Sequence, residues 1–285
     1  MITKTDAFEN KNTKTSKSNL IFSPQIETMI KLSEISTRAP EGLKKSEINK
    51  ERRQLATEIG RKVAILNGQK KHSLLVVFQG MDSSGKDGAT KRVFAGCSQS
   101  HVNTVGFKKP TEEEFAHDFL WRIHKEMPRK GEVKIFIRSH YEDVLIQRVH
   151  KWIDEEHAIK RIKSINALER LVQYDNNTTI LKFYLHLSKE RQLEKLQERI
   201  DDPARNWKHN DGDWEERKLW DKYRFCYEDA INRSEVPWII APVDQRWYRN
   251  YFIAKEVLAA LNKLDLELPV LETKPDFSDP SYTDI

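Results

Sequence analysis

Cysteine is nearly missing from this chain. Two residues, Cys97 and Cys226, stand in 285, with no C-x-x-C pair. That argues against a disulfide scaffold or a sulfur-ligated metal and for two reduced thiols. Long apolar runs are missing too: none approaches the ~20 residues a membrane-spanning helix needs. The N-terminus, "MITKTDAFENKNTKTSKSN", lacks the apolar stretch of a secretory signal. The expected setting is cytoplasmic, with no membrane partner. A strong excess of one charge is also lacking: 49 basic residues face 44 acidic ones, a net charge of +5. Such a balance does not establish a nucleic-acid partner, and it is compatible with a local basic channel for another anion. His117, His124, His150 and His157 have no metal-ligand spacing and read as surface or packing residues. There is no internal repeat and no long low-complexity segment.

What the chain has is alternation. "SLLVVFQG" is a short apolar run rich in β-branched residues, the mark of a strand buried on both faces. "VNTVGF", "EVKIFI", "TTILKFYLHL" and "VPWIIAP" are further strand candidates. Between them lie helical patterns: 45–69 with Leu55, Ile59, Val63 and Leu66 on one face and Gly68 as its stop; 86–95; a helix opened by the capping-box pair Thr111 and Glu114, with Phe115, Phe119 and Ile123 on one face; Tyr141–Ile153; one marked by Ile165, Leu168, Leu171 and Val172; Lys189–Ile200, capped by Ser188, with Leu193, Leu196 and Ile200 on its buried side; and Tyr248–Leu264. Alternating strands and helices mean an α/β protein with a parallel sheet covered on both faces. Residues 1–40 are polar and without a clear period, and the tail from Glu272 is polar and Pro-containing.

Chemistry concentrates in three places. In "FQGMDSSGKDGATK", Gly80, Gly85 and Lys86 fit the G-x-x-x-x-G-K phosphate loop, after a strand and before a helix. Backbone amides there cradle phosphate oxygens, and Lys86 neutralises the transferring group. The hydroxyl that should follow the lysine is replaced by Asp87. Asp82 lies inside the loop, where a carboxylate would repel phosphate unless a cation stood between them. It is therefore the candidate Mg²⁺ ligand, with Thr90 a weaker one. The bland alternative is an ordinary Gly-containing turn with Asp82 as its cap. The second place, "KIFIRSHYEDVL", clusters Arg138, Ser139, His140, Tyr141, Glu142 and Asp143 after a strand, on the side where open α/β sheets bind ligands. Arg138 is a natural transition-state cation; a polar strand end reads as well. The third, 201–224, is charged, Trp-rich and turned at "HNDGD". It reads either as a segment closing over substrate or as a solvated helical hairpin. Its acids argue against a simple nucleic-acid groove.

These segments, with "HDFLWRIHKEMP", "TTILKFYLHLSKERQLEKLQERIDDPARNWK" and "WYRNYFIA", resemble the polyphosphate kinase 2 family from about Lys45 to Pro269. "RSHYEDVL" looks most like the branch that phosphorylates both AMP and ADP, often called class III. The resemblance implies a three-layer P-loop kinase fold, thymidylate-kinase-like, with a helical lid. It implies a polar extension at 1–44, a kinase domain at 45–269 with its lid at about 201–224, and a loose tail at 270–285. It also implies transfer of the terminal phosphate of polyphosphate to AMP or ADP, making ADP or ATP, with Mg²⁺, in a homo-oligomer. Asp82, Lys86 and Arg138 would be the essential residues and Asp82 the metal ligand. Gly80, Met81, Ser83, Ser84, Gly85, Asp87, Gly88, Ala89 and Thr90 would surround the phosphates. Arg122, Arg205 and Lys208 would be basic contacts, and Tyr141 and Glu142 would lie near the nucleotide. Lys91, Arg92 and Lys108 are candidates for a guiding channel. One departure stands out: where the family usually has Phe-Asn-Arg or Phe-Asp-Arg, this chain has Phe136-Ile137-Arg138. Two other readings stay open, an ATP-dependent nucleoside-monophosphate kinase and a polyphosphate- or nucleic-acid-binding protein without turnover.

Overall fold

The computed structural model describes residues 29–271. The tail from Glu272 and the first 28 residues of the polar extension lie outside the described residues.

In chain order the elements are α1 (Lys45–Gln69), β1 (Ser73–Gln79), α2 (Lys86–Val93), β2 (Val102–Gly106), α3 (Glu112–Ala116), α4 (Trp121–His124), β3 (Val133–Ile137), α5 (Ile146–Val149), α6 (Glu155–Asn176), β4 (Thr178–His186), α7 (Lys189–Asp201), α8 (Asp211–Lys218), α9 (Trp220–Asn232), β5 (Trp238–Pro242) and α10 (Arg246–Asn262). The five strands form one parallel sheet in the order β2-β3-β1-β4-β5.

The central strand shows why its sequence reads as it does. All seven residues of β1 are buried. Leu74, Val76 and Phe78 face a core built with α1, α2 and α10. Leu75 and Val77 face the opposite core, built with α6 and α9. A strand covered on both faces has no polar side to alternate with. The result is the three-layer arrangement expected, with the carboxyl ends of β1 and β3 side by side.

Several local expectations change. Helix α1 runs through Gly68 and ends at Lys70, which takes the left-handed conformation (φ 54°) and donates its N–H to Leu66. The capping box at Thr111 and Glu114 forms, but the helix stops at Ala116 and a separate turn begins near Asp118, whose carboxylate accepts from the Leu120 N–H. Phe115 is consequently exposed while Ile123 is fully buried. The segment after Arg138 is a 3₁₀ turn, His140–Val144, followed by the short α5, because Leu145 leaves helical geometry (φ −106°, ψ −81°). On α7 the inward face carries Gln192, Lys195 and Leu196, whereas Leu193 and Ile200 are exposed. That face is polar because it rests on the phosphate loop. Between 29 and 39 the chain docks on the body: Leu32 is buried, its N–H donates to Glu228 at 2.7 Å, and Thr37 bonds Asp244 at 2.7 Å.

Candidate active site

The loop between β1 and α2 is shaped by three residues with positive φ: Gly80 (148°), Ser83 (66°) and Gly85 (95°). At Gly85 the positive φ favours glycine, and a Cβ would stand 1.9 Å from Nη1 of Arg249, the far end of a side chain that would have to shift. Lys86, the first residue of α2, folds back and donates to the carbonyls of Gly80 at 2.7 Å and Met81 at 3.3 Å. Burial pulls its ammonium below the usual lysine range, with Asp82 acting the other way. An anion in the loop would relieve that desolvation.

β3 delivers Arg138 beside the loop. Its N–H continues the sheet by donating to the Phe78 carbonyl at 3.0 Å, yet its own φ is 63°. Left-handed backbone in a bulky side chain is strain of the kind found where geometry serves a site. The guanidinium donates to Asp82 Oδ1 at 3.0 Å. Burial opposes its charge, but Glu142 and Asp82 outweigh that and hold Arg138 above its usual range. Glu142 is pushed up by burial, against the pull of Arg138 and Lys86.

Helix α7 sits on this loop. Gln192 donates to the Asp82 carbonyl at 3.0 Å, Lys195 to the Ser83 carbonyl at 3.3 Å, and Arg199 to Ser83 Oγ at 2.7 Å. Arg199 also pairs with Asp213 at the start of α8. Arg205 is held by Glu198 at 2.6 Å and Asp202 at 2.9 Å. Trp220 is buried, whereas Trp207 is 77% exposed, so the lid's tryptophans do not all pack on the core.

Two clefts meet at Asp82 and Arg138. One, of about 490 Å³, is lined by Lys86, Lys108, Arg138, Lys195, Arg199, Arg205, Lys208 and Arg246, against Asp82, Asp87 and Glu198. The other, of about 260 Å³, has aromatic walls from Trp220, Tyr223 and Tyr227 and also holds Met81, Glu142, Asp213 and Glu216. Burial pushes Tyr227 well above the usual phenol range, reinforced by Glu142.

The expected residues separate into groups. Gly80, Met81, Asp82, Ser83, Gly85, Lys86, Asp87, Arg138, Glu142, Arg205 and Lys208 line one or both clefts. Ser84 is wholly buried in the loop, and Gly88 faces Arg249 instead. Four others also lie outside both clefts. Tyr141 is fully buried; its hydroxyl donates to Glu169 at 3.1 Å and accepts from Lys182 at 2.6 Å, so it faces the core and not a ligand. Arg122 is buried, donating to the Lys108 carbonyl at 2.9 Å and to Asp143 at 3.3 Å. It therefore supports the loop carrying Lys108 and does not line either cleft. Ala89 is core, and the Thr90 hydroxyl donates to the Lys86 carbonyl at 3.2 Å, which makes it a poor cation ligand. Gln192, Lys195, Arg246 and Arg249 escaped the sequence reading. The polar i, i+3 pair Gln192 and Lys195 beside Leu196 was the available signal.

The donor set sets a limit on any metal. Among the described residues no three His, Cys, Asp or Glu side chains converge on a cation position. Ile137 presents an apolar side chain to the basic cleft. Mg²⁺ is commonly held by one or two carboxylates, several waters and substrate phosphates. Asp82 in a cleft of cations fits that kind of site and no closed cage.

The polyphosphate kinase 2 family model matches residues 42–269. An AMP/ADP-polyphosphate phosphotransferase of Meiothermus ruber is 44% identical over 212 residues, covering 73% of this chain and 79% of its own. An ADP-polyphosphate phosphotransferase of Rhodopseudomonas palustris is 35% identical over 226 residues, covering 74% and 77%. The crystal structure of polyphosphate kinase 2 from Arthrobacter aurescens TC1 superposes with a TM-score of 0.85 at 32% identity, covering 90% of this chain and 93% of that one. With its phosphate loop, its arginine-bearing second strand end and its lid in that order, the chain belongs to the polyphosphate kinase 2 family.

Proposed function

We propose that this protein transfers the terminal phosphoryl group of inorganic polyphosphate to AMP and to ADP. The observation that carries the reading is the junction of the two clefts at Asp82 and Arg138. Eight cations against three carboxylates make one cleft suitable for a polyanionic donor. The aromatic wall of the other suits a nucleotide acceptor. The dual-acceptor assignment follows the activity for which the Meiothermus ruber relative is named.

The chemistry is an in-line displacement. An acceptor phosphate oxygen forms a bond to the terminal phosphorus of the donor, and the phosphoanhydride bond to the next phosphate breaks. That acceptor oxygen is already anionic, so no general base is required. The task is to bring two anions together and to stabilise the equatorial oxygens of a loose transition state. Loop amides and Lys86 hold the donor's terminal phosphate. Arg138, fixed by Asp82, spans donor and acceptor. Arg199, Arg205 and Lys208 close over the chain and exclude water, which limits hydrolysis. Asp82 is the residue that would hold Mg²⁺, which would supply further charge neutralisation. Cytoplasmic residence and a homo-oligomeric state belong to the same reading; light scattering on the purified chain tests the latter.

The test is a product assay with Mg²⁺, long-chain polyphosphate and AMP, ADP or no nucleotide. ADP and ATP formed from AMP support the reading. ATP from ADP alone removes AMP as an acceptor. Turnover of AMP with ATP as donor but not with polyphosphate overturns the reading in favour of a nucleoside-monophosphate kinase.

A further inference from the structure

The aromatic cleft is braced from outside. Tyr223 and Glu216 both line it, one from α9 and the other from α8. The Tyr223 hydroxyl donates to Glu216 Oε2 at 2.6 Å. Burial first, and then the bond to Glu216, hold that phenol above its usual range, so the hydroxyl stays the donor. The other oxygen, Oε1, lies 3.0 Å from Nε2 of His150, and Oε2 lies 3.2 Å from the same nitrogen. A carboxylate oxygen accepts, so the imidazole contributes its Nε2–H. His150 itself lines neither cleft and takes no part in the displacement.

Three features fix the imidazole. His150 ends α5, its N–H donating to the Ile146 carbonyl at 3.0 Å, and Ile146 lines the same cleft one turn earlier. The next residue, Lys151, has a φ of 58°, left-handed backbone that a lysine adopts only at a cost. Trp152 then stacks on the imidazole, with ring centroids 5.1 Å apart and planes 22° apart. Trp152 is largely exposed, so its ring covers His150 without entering the core.

The braces on α8 divide by side. Asp213 pairs with Arg199, and Arg217 donates to the Lys189 carbonyl and to Gln192, both at 2.8 Å; these tie α8 to α7, which rests on the phosphate loop. Glu216 ties α8 instead to Tyr223 and, through His150, to the end of α5. We infer that His150 is a positioning residue for the nucleotide acceptor: through Glu216 it sets where Tyr223 stands in the cleft wall. This rests on reading the aromatic cleft as the acceptor site, and it deepens that reading. A ring that is already held adds its stacking energy without the cost of being ordered at the moment of binding. The His150–Glu216 pair is partly exposed and adds little to folding, so its effect is on the wall. Neither Glu216 nor Tyr223 lines the basic cleft, so the effect is confined to the acceptor.

The experiment compares His150→Ala with His150→Gln, whose side-chain amide keeps an N–H for Glu216. Calorimetry with AMP at fixed salt and steady-state rates with long-chain polyphosphate are read on the same full-length preparations. His150→Ala should raise the Kd for AMP and the nucleotide KM about three- to tenfold, the scale of one hydrogen bond. The polyphosphate KM, kcat and the urea midpoint should stay as in the wild type, and His150→Gln should recover most of the loss. Tyr223→Phe should raise the nucleotide KM to a similar extent. The double variant should lose little more than either single one, because both act through Glu216. A rise shared equally by donor and nucleotide overturns the inference. So does a lowered urea midpoint with the same loss in His150→Gln, or an unchanged affinity for AMP. If the wild type binds AMP but transfers nothing to it from polyphosphate, the functional reading fails, and the binding comparison still decides the role of His150. A wild type that does not bind AMP overturns both.

Discussion

Arg138 and Asp82 are joined at 3.0 Å across the mouth of the phosphate loop, and strained backbone holds both in place. Arg138 itself has a φ of 63°, and Ser83, next to Asp82, one of 66°. The pair borders both clefts, so it stands where donor and acceptor phosphates meet. Both side chains remain partly exposed, which limits its worth to folding. Arg138→Ala and Asp82→Asn should each reduce kcat by about 10²–10³ while shifting stability by less than about 1 kcal/mol. The double variant should lose much less than the product of the single losses, because the two act as a unit. Rates and urea unfolding on the same preparations check this; near-normal turnover in either single variant removes the pair from the mechanism.

Lys86 is buried and bonded to two loop carbonyls. Lys86→Met should abolish transfer and also abolish the rise in melting temperature that saturating polyphosphate gives the wild type. Circular dichroism at low protein concentration reads both melting curves. A variant that keeps the ligand-dependent rise shows that the loop lysine does not hold the donor.

Gly85 combines positive φ with a side-chain neighbour where its Cβ would be. Gly85→Ala should cost ~1–3 kcal/mol from backbone strain. Denaturant titration measures it. An unchanged midpoint would show that the loop relaxes freely and that the observed geometry is not enforced.

Lys195 is pulled down to about 8, first by burial and then by Arg249, Arg191 and Arg246. A lysine with a lowered pKa carries its charge below that value and loses it as the pH rises through it. Donor binding should therefore weaken as pH rises through about 8, well before ordinary lysines titrate. An anion bound beside it favours the charged form, so binding near that pH should take up protons. Calorimetry in two buffers of different ionisation enthalpy reads the uptake, and Lys195→Gln should remove it. A pH-independent affinity between 7 and 9 in the wild type, a window set about one unit either side of the shifted value, is the contrary outcome.

Lys182 and Glu169 form a fully buried ion pair at 2.6 Å, with Tyr141 and Ser234 bonded to it. Removing one member leaves an uncompensated charge. Lys182→Met should destabilise the protein by ~3–5 kcal/mol, seen as a lowered urea midpoint. A loss under about 1 kcal/mol would mean that water or a proton compensates the site.

The sequence was most informative where one local cause decided the outcome. The buried β1 run, the capping box at Thr111 and the Ser188 cap can each be read within a few residues, and each forms as expected. The phosphate loop was legible for the same reason: its glycines answer to positive φ within the loop itself. Arg138, Glu142, Arg205 and Lys208, which line the clefts, stood out because charged residues cluster after a strand or in the segment at 201–224. What the sequence could not show was direction. Tyr141 and Glu142 are adjacent, yet the turn that carries them sends one into the core toward Lys182 and the other to the cleft. Leu193 and Ile200 look like the inner face of α7, but the loop beneath it makes Gln192 and Lys195 the inner face. Nor could a local pattern show that Arg38 and Arg249, more than 200 positions apart in the chain, line one cavity. Propensity and capping are local, so sequence determines them. Which side chains share a cavity depends on how distant helices pack, and only the tertiary structure decided that.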